Sequence, residues 1–140
     1  MNCKLNSYLI FDGDCTEAFE LYARAFRGTP RYLRMGDMPD APAECRHLVV
    51  HVNLNIGDTM LMGSDSVPGY SPTLIKGNNQ SVVIHPESRE DADRFFAILS
   101  EGGVVEQPMA DMFFGYYATF TDRYGICWMI VVLPEEHCGA

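Results

Sequence analysis

The sequence predicts an α+β fold of two βαβββ modules, each a strand, a helix and three further strands. Two stretches carry this expectation. Residues 7–28, SYLIFDGDCTEAFELYARAFRG, and residues 81–103, SVVIHPESREDADRFFAILSEGG, each pass from a short apolar run through polar residues into a helical pattern closed by glycine. The spacing is the third observation. A shift of 74 lays Phe11 on His85, Ala18 on Ala92, Tyr22 on Phe96 and Gly28 on Gly102, and a shift of 68 lays Gly57 on Gly125 and Leu61 on Met129. A longer loop around residues 36–46 absorbs the difference.

The elements follow in order. Ser7 to Phe11 reads as a strand, and Asp14 with Glu17 three residues on reads as a capping box for a helix within Cys15 to Arg27. There Ala18, Phe19, Leu21, Tyr22, Ala25 and Phe26 recur at helical spacing, while Glu17, Glu20, Arg24 and Arg27 form the wet face. Gly28 and Pro30 end the helix, and Arg31 to Met35 reads as a strand. His47 to Asn55 alternates around Leu48, Val50, Val52 and Leu54, and Gly57-Asp58 returns the chain into Thr59 to Met62 as a hairpin. In the second half, Ser81 to Ile84 is a strand. Ser88 caps a helix bearing Ala92, Phe95, Phe96 and Leu99, which Gly102-Gly103 closes. Val104 to Gln107, Tyr116 to Phe120 and Ile126 to Leu133 complete the strands. The expected organisation is a module over 1–66, a linker over 67–79, a module over 80–134 and a polar tail over 135–140. Each module alone leaves one sheet face incompletely covered. Two sheets curled around a shared concavity would hide that surface and form a ligand cleft.

Composition narrows the function. Hydrophobic residues make up 47% of 140, enough for a core, and the net charge of −9 disfavours a phosphate-binding surface, so nucleic acid is not an expected partner. The longest apolar run, Ile126 to Leu133, is far too short to span a membrane, and no secretory leader is recognisable at the N-terminus. Five scattered cysteines without a CxxC pair fit a reduced, cytoplasmic setting.

Three motifs add a family. YLIFDGDCTEAFELYARAF (8–26), HVNLNIGDTMLMGSD (51–65) and FFGYYATFTDRYGICWMIVV (113–132) resemble the glyoxalase, bleomycin-resistance and dihydroxybiphenyl-dioxygenase (vicinal oxygen chelate) superfamily, and within it the PhnB-like, 3-demethylubiquinone methyltransferase-like branch. With the elements between them they cover almost the whole chain. The resemblance implies a glyoxalase-like U-shaped sheet around a central cavity, usually in a homodimer. Metal-dependent members take His, Glu or Gln ligands from the first and last strand of each module. The corresponding stations are Ser7 or Tyr8, Leu61 or Met62, Ser81 or Val82, and Met129. None completes a ligand set, and Met129 stands where metal-dependent relatives carry Glu. A thioether does not replace a carboxylate toward a hard divalent ion. No cofactor is therefore expected, and a divalent metal is disfavoured.

Among individual residues, His51 interrupts a strand and, with Asn53 and Asn55, lines the cleft if Val50 and Val52 face the helix. There it orients a ligand or acts as a base; the alternative is a solvent-facing or structurally bonded histidine. His47 shares its face, and a two-histidine metal pair is the sharper reading, a strand-end histidine the plainer one. His85 precedes Pro86 at a strand exit. Asp65 either receives hydrogen bonds at the cleft rim or caps the following turn. Phe114, Tyr116, Tyr117 and Trp128 form an aromatic group suited to stacking on a ligand, or to packing a loop and strand. Asp122 and Gly125 serve the last turn, and Cys127 reads as core packing.

The leading expectation is a binder of an apolar or aromatic small molecule through His51, Asn53, Asp65, Phe114, Tyr116, Tyr117 and Trp128, without the standard metal site. The alternative is a lyase or isomerase of the glyoxalase type, metal-dependent or not, so enzymatic activity is left open. A methyltransferase finds no glycine-rich βαβ fingerprint in the chain.

Overall fold

The computed structural model describes residues 1–134, and the tail at 135–140, with His137 and Cys138, lies outside them. The chain divides into two compact units, Met1–Ile75 and a second that begins at Lys76, a division inside the 67–79 stretch read as a linker.

The first unit contains β1 (Ser7–Phe11), α1 (Cys15–Phe26), β2 (Arg31–Arg34), two short 3-10 turns at Met35–Asp37 and Ala43–Cys45, β3 (Val49–Ile56) and β4 (Thr59–Asp65). Its sheet runs β1-β4-β3-β2, with β1 parallel to β4 and the other pairs antiparallel. The second unit repeats the plan with β5 (Val82–Ile84), α2 (Arg89–Leu99), β6 (Val104–Met112), β7 (Gly115–Thr121) and β8 (Cys127–Val132). Its order, β5-β8-β7-β6, is the same path traced again, including the parallel first pair. The two βαβββ modules expected from the repeat are present.

In the first unit the apolar stripe of α1 is buried on the sheet. Phe19 meets Phe11 edge-on at 6.0 Å and Tyr22 at 5.3 Å between ring centroids. Each such ring removed from water stabilises the unit by about 1.5–3 kcal/mol. The start of α1 differs from the sequence expectation, since Asp14 makes no capping bond. Asp65, at the end of β4, takes that place from 50 residues away. Its Oδ1 accepts from the backbone N–H of Gly13 (2.9 Å) and Cys15 (3.0 Å), and its Oδ2 accepts from that of Val49 (2.9 Å). A carboxylate at a helix N-terminus also complements the helix dipole. At the other end Arg27, with φ of 55°, takes the left-handed position just before Gly28. Gly28 is needed for space instead, because a Cβ there would lie 2.7 Å from Cδ1 of Leu54.

In the second unit Ser88 caps as the sequence predicts, its Oγ accepting from the Asp91 N–H at 3.1 Å. Phe96 of α2 packs edge-on against Phe120 of β7 at 5.6 Å. Arg89 forks onto both carboxylate oxygens of Asp111 at 2.7 and 3.0 Å and stacks over the Tyr116 ring, whose hydroxyl donates to Asp93 at 2.5 Å.

Alternation decides which residues the helices cover. Leu9, Phe11, Val52, Leu54 and Leu61 are buried beneath α1. Gly63 shares that face, since a Cβ there would sit 2.8 Å from the Phe19 ring and 2.7 Å from the Leu9 carbonyl oxygen. The expected alternation through β3 breaks at one point. Register shifts between Leu33 and Arg34, so Arg34 pairs with Val49 rather than with Val50. Val49 is fully buried, whereas Val50, expected to accompany Val52 beneath the helix, is half-buried against a small cluster of Met35, Leu48 and Val67.

Candidate functional site

The side of the first sheet away from α1 is where chemistry and exposure coincide. Register places Tyr8 beside Met62, Met62 beside Asn53, and Asn53 beside Arg31; Leu33 pairs with His51 and Ile10 with Ser64. Tyr8, Ile10 and Leu33 are 44%, 40% and 44% exposed, which leaves apolar side chains of three different strand positions on one face. Exposed apolar side chains on both outer strands, with Ser64, His51 and Asn53 on the strands between them, make this face a candidate contact surface for a ligand or a partner.

Within it the Tyr8 hydroxyl lies 3.3 Å from Nδ1 of His51, the two rings 5.6 Å apart and tilted by 37°. Either the phenol donates to a neutral Nδ1, leaving an Nε2 donor, or a protonated Nδ1 donates to the phenol oxygen. In both arrangements Tyr8 fixes the imidazole and leaves Nε2 for a third group. Sequence reasoning weighed Tyr8 only as a metal station. The run YLIF hides parity because every residue is apolar, and only the burial of Leu9 and Phe11 under α1 assigns Tyr8 and Ile10 to the other side.

The other expected site residues fall in three places. His51 and Asn53 share the helix-free face with Tyr8. Tyr117 stands on the helix-free face of the second sheet, where Thr119 pairs with Met129 and Met129 with the exposed Val83, and Phe114 meets Tyr117 edge-on at 5.0 Å. Asp65, Tyr116 and Trp128 sit away from these two faces, each engaged within its own module. Asp65 is buried and engaged by three backbone N–H groups. Tyr116 lies on the α2 side, held by Asp93 and Arg89. Trp128 is 1% exposed, and its Nε1–H donates to Oδ2 of Asp122 at 2.9 Å, while Oδ1 accepts from the N–H of Tyr124 and Ile126. That arrangement builds the Asp122–Gly125 turn. His47 and His85 are exposed outside the strands.

Cys15 offers no nucleophile. Burial first, then the neighbouring Asp65 carboxylate, push its thiol far above the ordinary range, against a smaller opposing effect of Arg34.

The strand register also resolves the metal stations. On the helix-free faces they are Tyr8 and Met62 across β1 and β4, and Met129 on β8, whose partner on β5 is Val83 rather than the expected Ser81 or Val82, because Val82 pairs with the buried Trp128. A phenol, two thioethers and a valine do not fit a hard divalent ion. Among the described residues no three His, Cys, Asp or Glu side chains approach closely enough to share one. Among them, too, no helix is long and apolar enough to cross a membrane.

A family profile described as 3-demethylubiquinone-9 3-methyltransferase matches residues 3–131. Among solved structures, protein PA1353 from Pseudomonas aeruginosa is 36% identical, over 94% of this chain and 98% of its own, with a TM-score of 0.83. A putative 3-demethylubiquinone-9 3-methyltransferase, PhnB protein, from Bacillus cereus is 21% identical over 93% and 99% of the two chains, with a TM-score of 0.75. A glyoxylase/bleomycin resistance protein/dioxygenase domain from Frankia sp. EAN1pec shares the fold at 14% identity, 96% and 99% coverage and a TM-score of 0.68. The chain belongs to the 3-demethylubiquinone-9 3-methyltransferase family, and its paired βαβββ topology is the fold of the PhnB and glyoxylase/bleomycin resistance protein/dioxygenase structures.

Proposed function

We propose that the helix-free face of the first module binds an apolar or aromatic small molecule, and does so without a divalent metal. The observation that carries this reading is the hydrogen-bonded Tyr8–His51 pair set among exposed apolar side chains. Ile10, Leu33 and the pliable Met62 supply area, while His51 Nε2 and the Asn53 amide orient polar atoms. Methyl transfer, the activity in the family's description, would need a donor site, for which the sequence offers no glycine-rich fingerprint. The expected homodimer is carried forward as part of the proposal, and sedimentation of the purified protein measures it.

The test is calorimetric titration with neutral aromatics such as 2-naphthol, in EDTA. Binding that survives chelation and weakens in His51→Ala supports the proposal. Binding that requires a divalent ion, or ignores His51, contradicts it.

A second reading rests on the same pair. An imidazole held by a phenol suits proton transfer, so a metal-independent isomerase would use His51 as base with Tyr8 as its positioning partner. Turnover of a bound ligand, abolished in His51→Ala and only slowed in Tyr8→Phe, distinguishes catalysis from sequestration.

A further inference from the structure

A cavity of about 320 Å³ lies in the first module between the segment at 35–42 and the segment at 64–71. It borders the Tyr8–His51 face at Ser64 but is lined by a different set, since none of Tyr8, Ile10, Leu33, His51, Asn53 or Met62 contributes. Its volume is within the range of small-molecule pockets.

The walls are built in advance. On one side Met35 N–H donates to the Leu48 carbonyl, Gly36 N–H to that of Arg46, and Arg46 Nη2 back to the Gly36 carbonyl at 2.6 Å. Pro39 and Pro42 fix φ on either side of Asp40, which itself holds a φ of 66°. On the other side Val67 N–H donates to Ser71 Oγ at 2.9 Å, and the Val67 carbonyl accepts from Tyr70 and Ser71. Walls closed by their own hydrogen bonds lose little freedom when a ligand enters.

The lining states what would enter. Met35, Met38, Val50 and Val67 give an apolar side. The free charged group is the exposed carboxylate of Asp40, since that of Asp65 is buried and already accepts from three backbone N–H groups, and no Lys, Arg or His contributes. Tyr70 adds an aromatic ring at the mouth and is 77% exposed. An apolar body with a positive head matches this set. The Asp40 carboxylate attracts the head, the tyrosine face favours a cation, and the chain's net charge of −9 repels anions. We infer that this cavity is a second ligand site, selective for small apolar amines in their cationic form.

The test uses backbone-labelled full-length protein and three probes of one shape: phenethylamine, phenethyl alcohol and phenylacetate. Phenethylamine is expected to shift the amides of Val50, Val67 and Ser71, the alcohol to do so more weakly, and phenylacetate not at all. Asp40→Asn and Tyr70→Ala change exposed side chains, so both variants retain the fold. Tyr70→Ala should weaken the amine about threefold, and Asp40→Asn should weaken the amine while leaving the alcohol unchanged. Equal shifts from phenylacetate, no shift from the amine at these amides, or amine affinity indifferent to both variants would overturn the inference. Shifts confined to Tyr8, His51 and Asn53 would also overturn it, while leaving the sheet-face proposal standing.

Discussion

Tyr8 and His51, 43 residues apart in sequence, meet at 3.3 Å on a sheet face that no helix of their module covers. Neither side chain belongs to the packed core, so replacing them tests ligand recognition with little disturbance of the fold. Tyr8→Phe is expected to weaken binding of a neutral aromatic about fivefold, the value of one hydrogen bond of about 1 kcal/mol. Its urea midpoint should imply a stability change within about 0.5 kcal/mol of the parent.

Asp65 is the opposite case. Asp65→Ala orphans the N–H groups of Gly13, Cys15 and Val49, and should cost about 3 kcal/mol or more. Equilibrium denaturation measures this. A variant with parental stability and lost ligand binding would restore Asp65 to a ligand role.

Trp128 is the single tryptophan and is 1% exposed. Its emission in the native protein is expected to resist acrylamide quenching and to become quenchable on unfolding. Trp128→Phe removes the donor to Asp122 and should destabilise the protein by about 1–3 kcal/mol. Ready quenching in the native state would place the indole in solvent and contradict its structural assignment.

Arg89 and Asp111 give a pH-dependent contact. The guanidinium holds the Asp111 carboxyl below its ordinary value of 3.8 by direct hydrogen bonding, and the carboxylate in turn raises Arg89. A depressed folded value means that the pair stabilises above pH 3.8 and that this stabilisation is lost as pH falls through the lower, folded value. Both side chains are exposed, so the contribution is small and screened by salt. Carboxyl NMR of Asp111 should titrate below the ordinary value in the parent and return toward it in Arg89→Ala. An unchanged midpoint would remove Arg89 as the cause.

The repeat was legible because its signals are local. The cap at Ser88, the turn at Gly57 and the stripe on α1 each depend on neighbours within a few residues, and all appear where the sequence expects them. What escaped was long-range. Nothing beside Asp14 signals that a carboxylate 51 positions away will take over the start of α1. The Val49–Val50 irregularity comes from pairing with β2, and one such step reassigns faces along a strand. Trp128 and Tyr116 show the same limit: aromatic composition suggested a ligand surface, but strand parity and α2 place both in the helix-packed layer. Tyr8 required the converse inference, from the burial of its neighbours Leu9 and Phe11.

The most direct measurement is a two-dimensional amide spectrum of the labelled protein titrated with 2-naphthol in the presence of EDTA. The proposed site predicts saturable shifts centred on Tyr8, Ile10, His51, Asn53 and Met62, weakened in His51→Ala. Saturable binding that leaves those five amides unmoved, or no binding until a divalent metal is supplied, would contradict it.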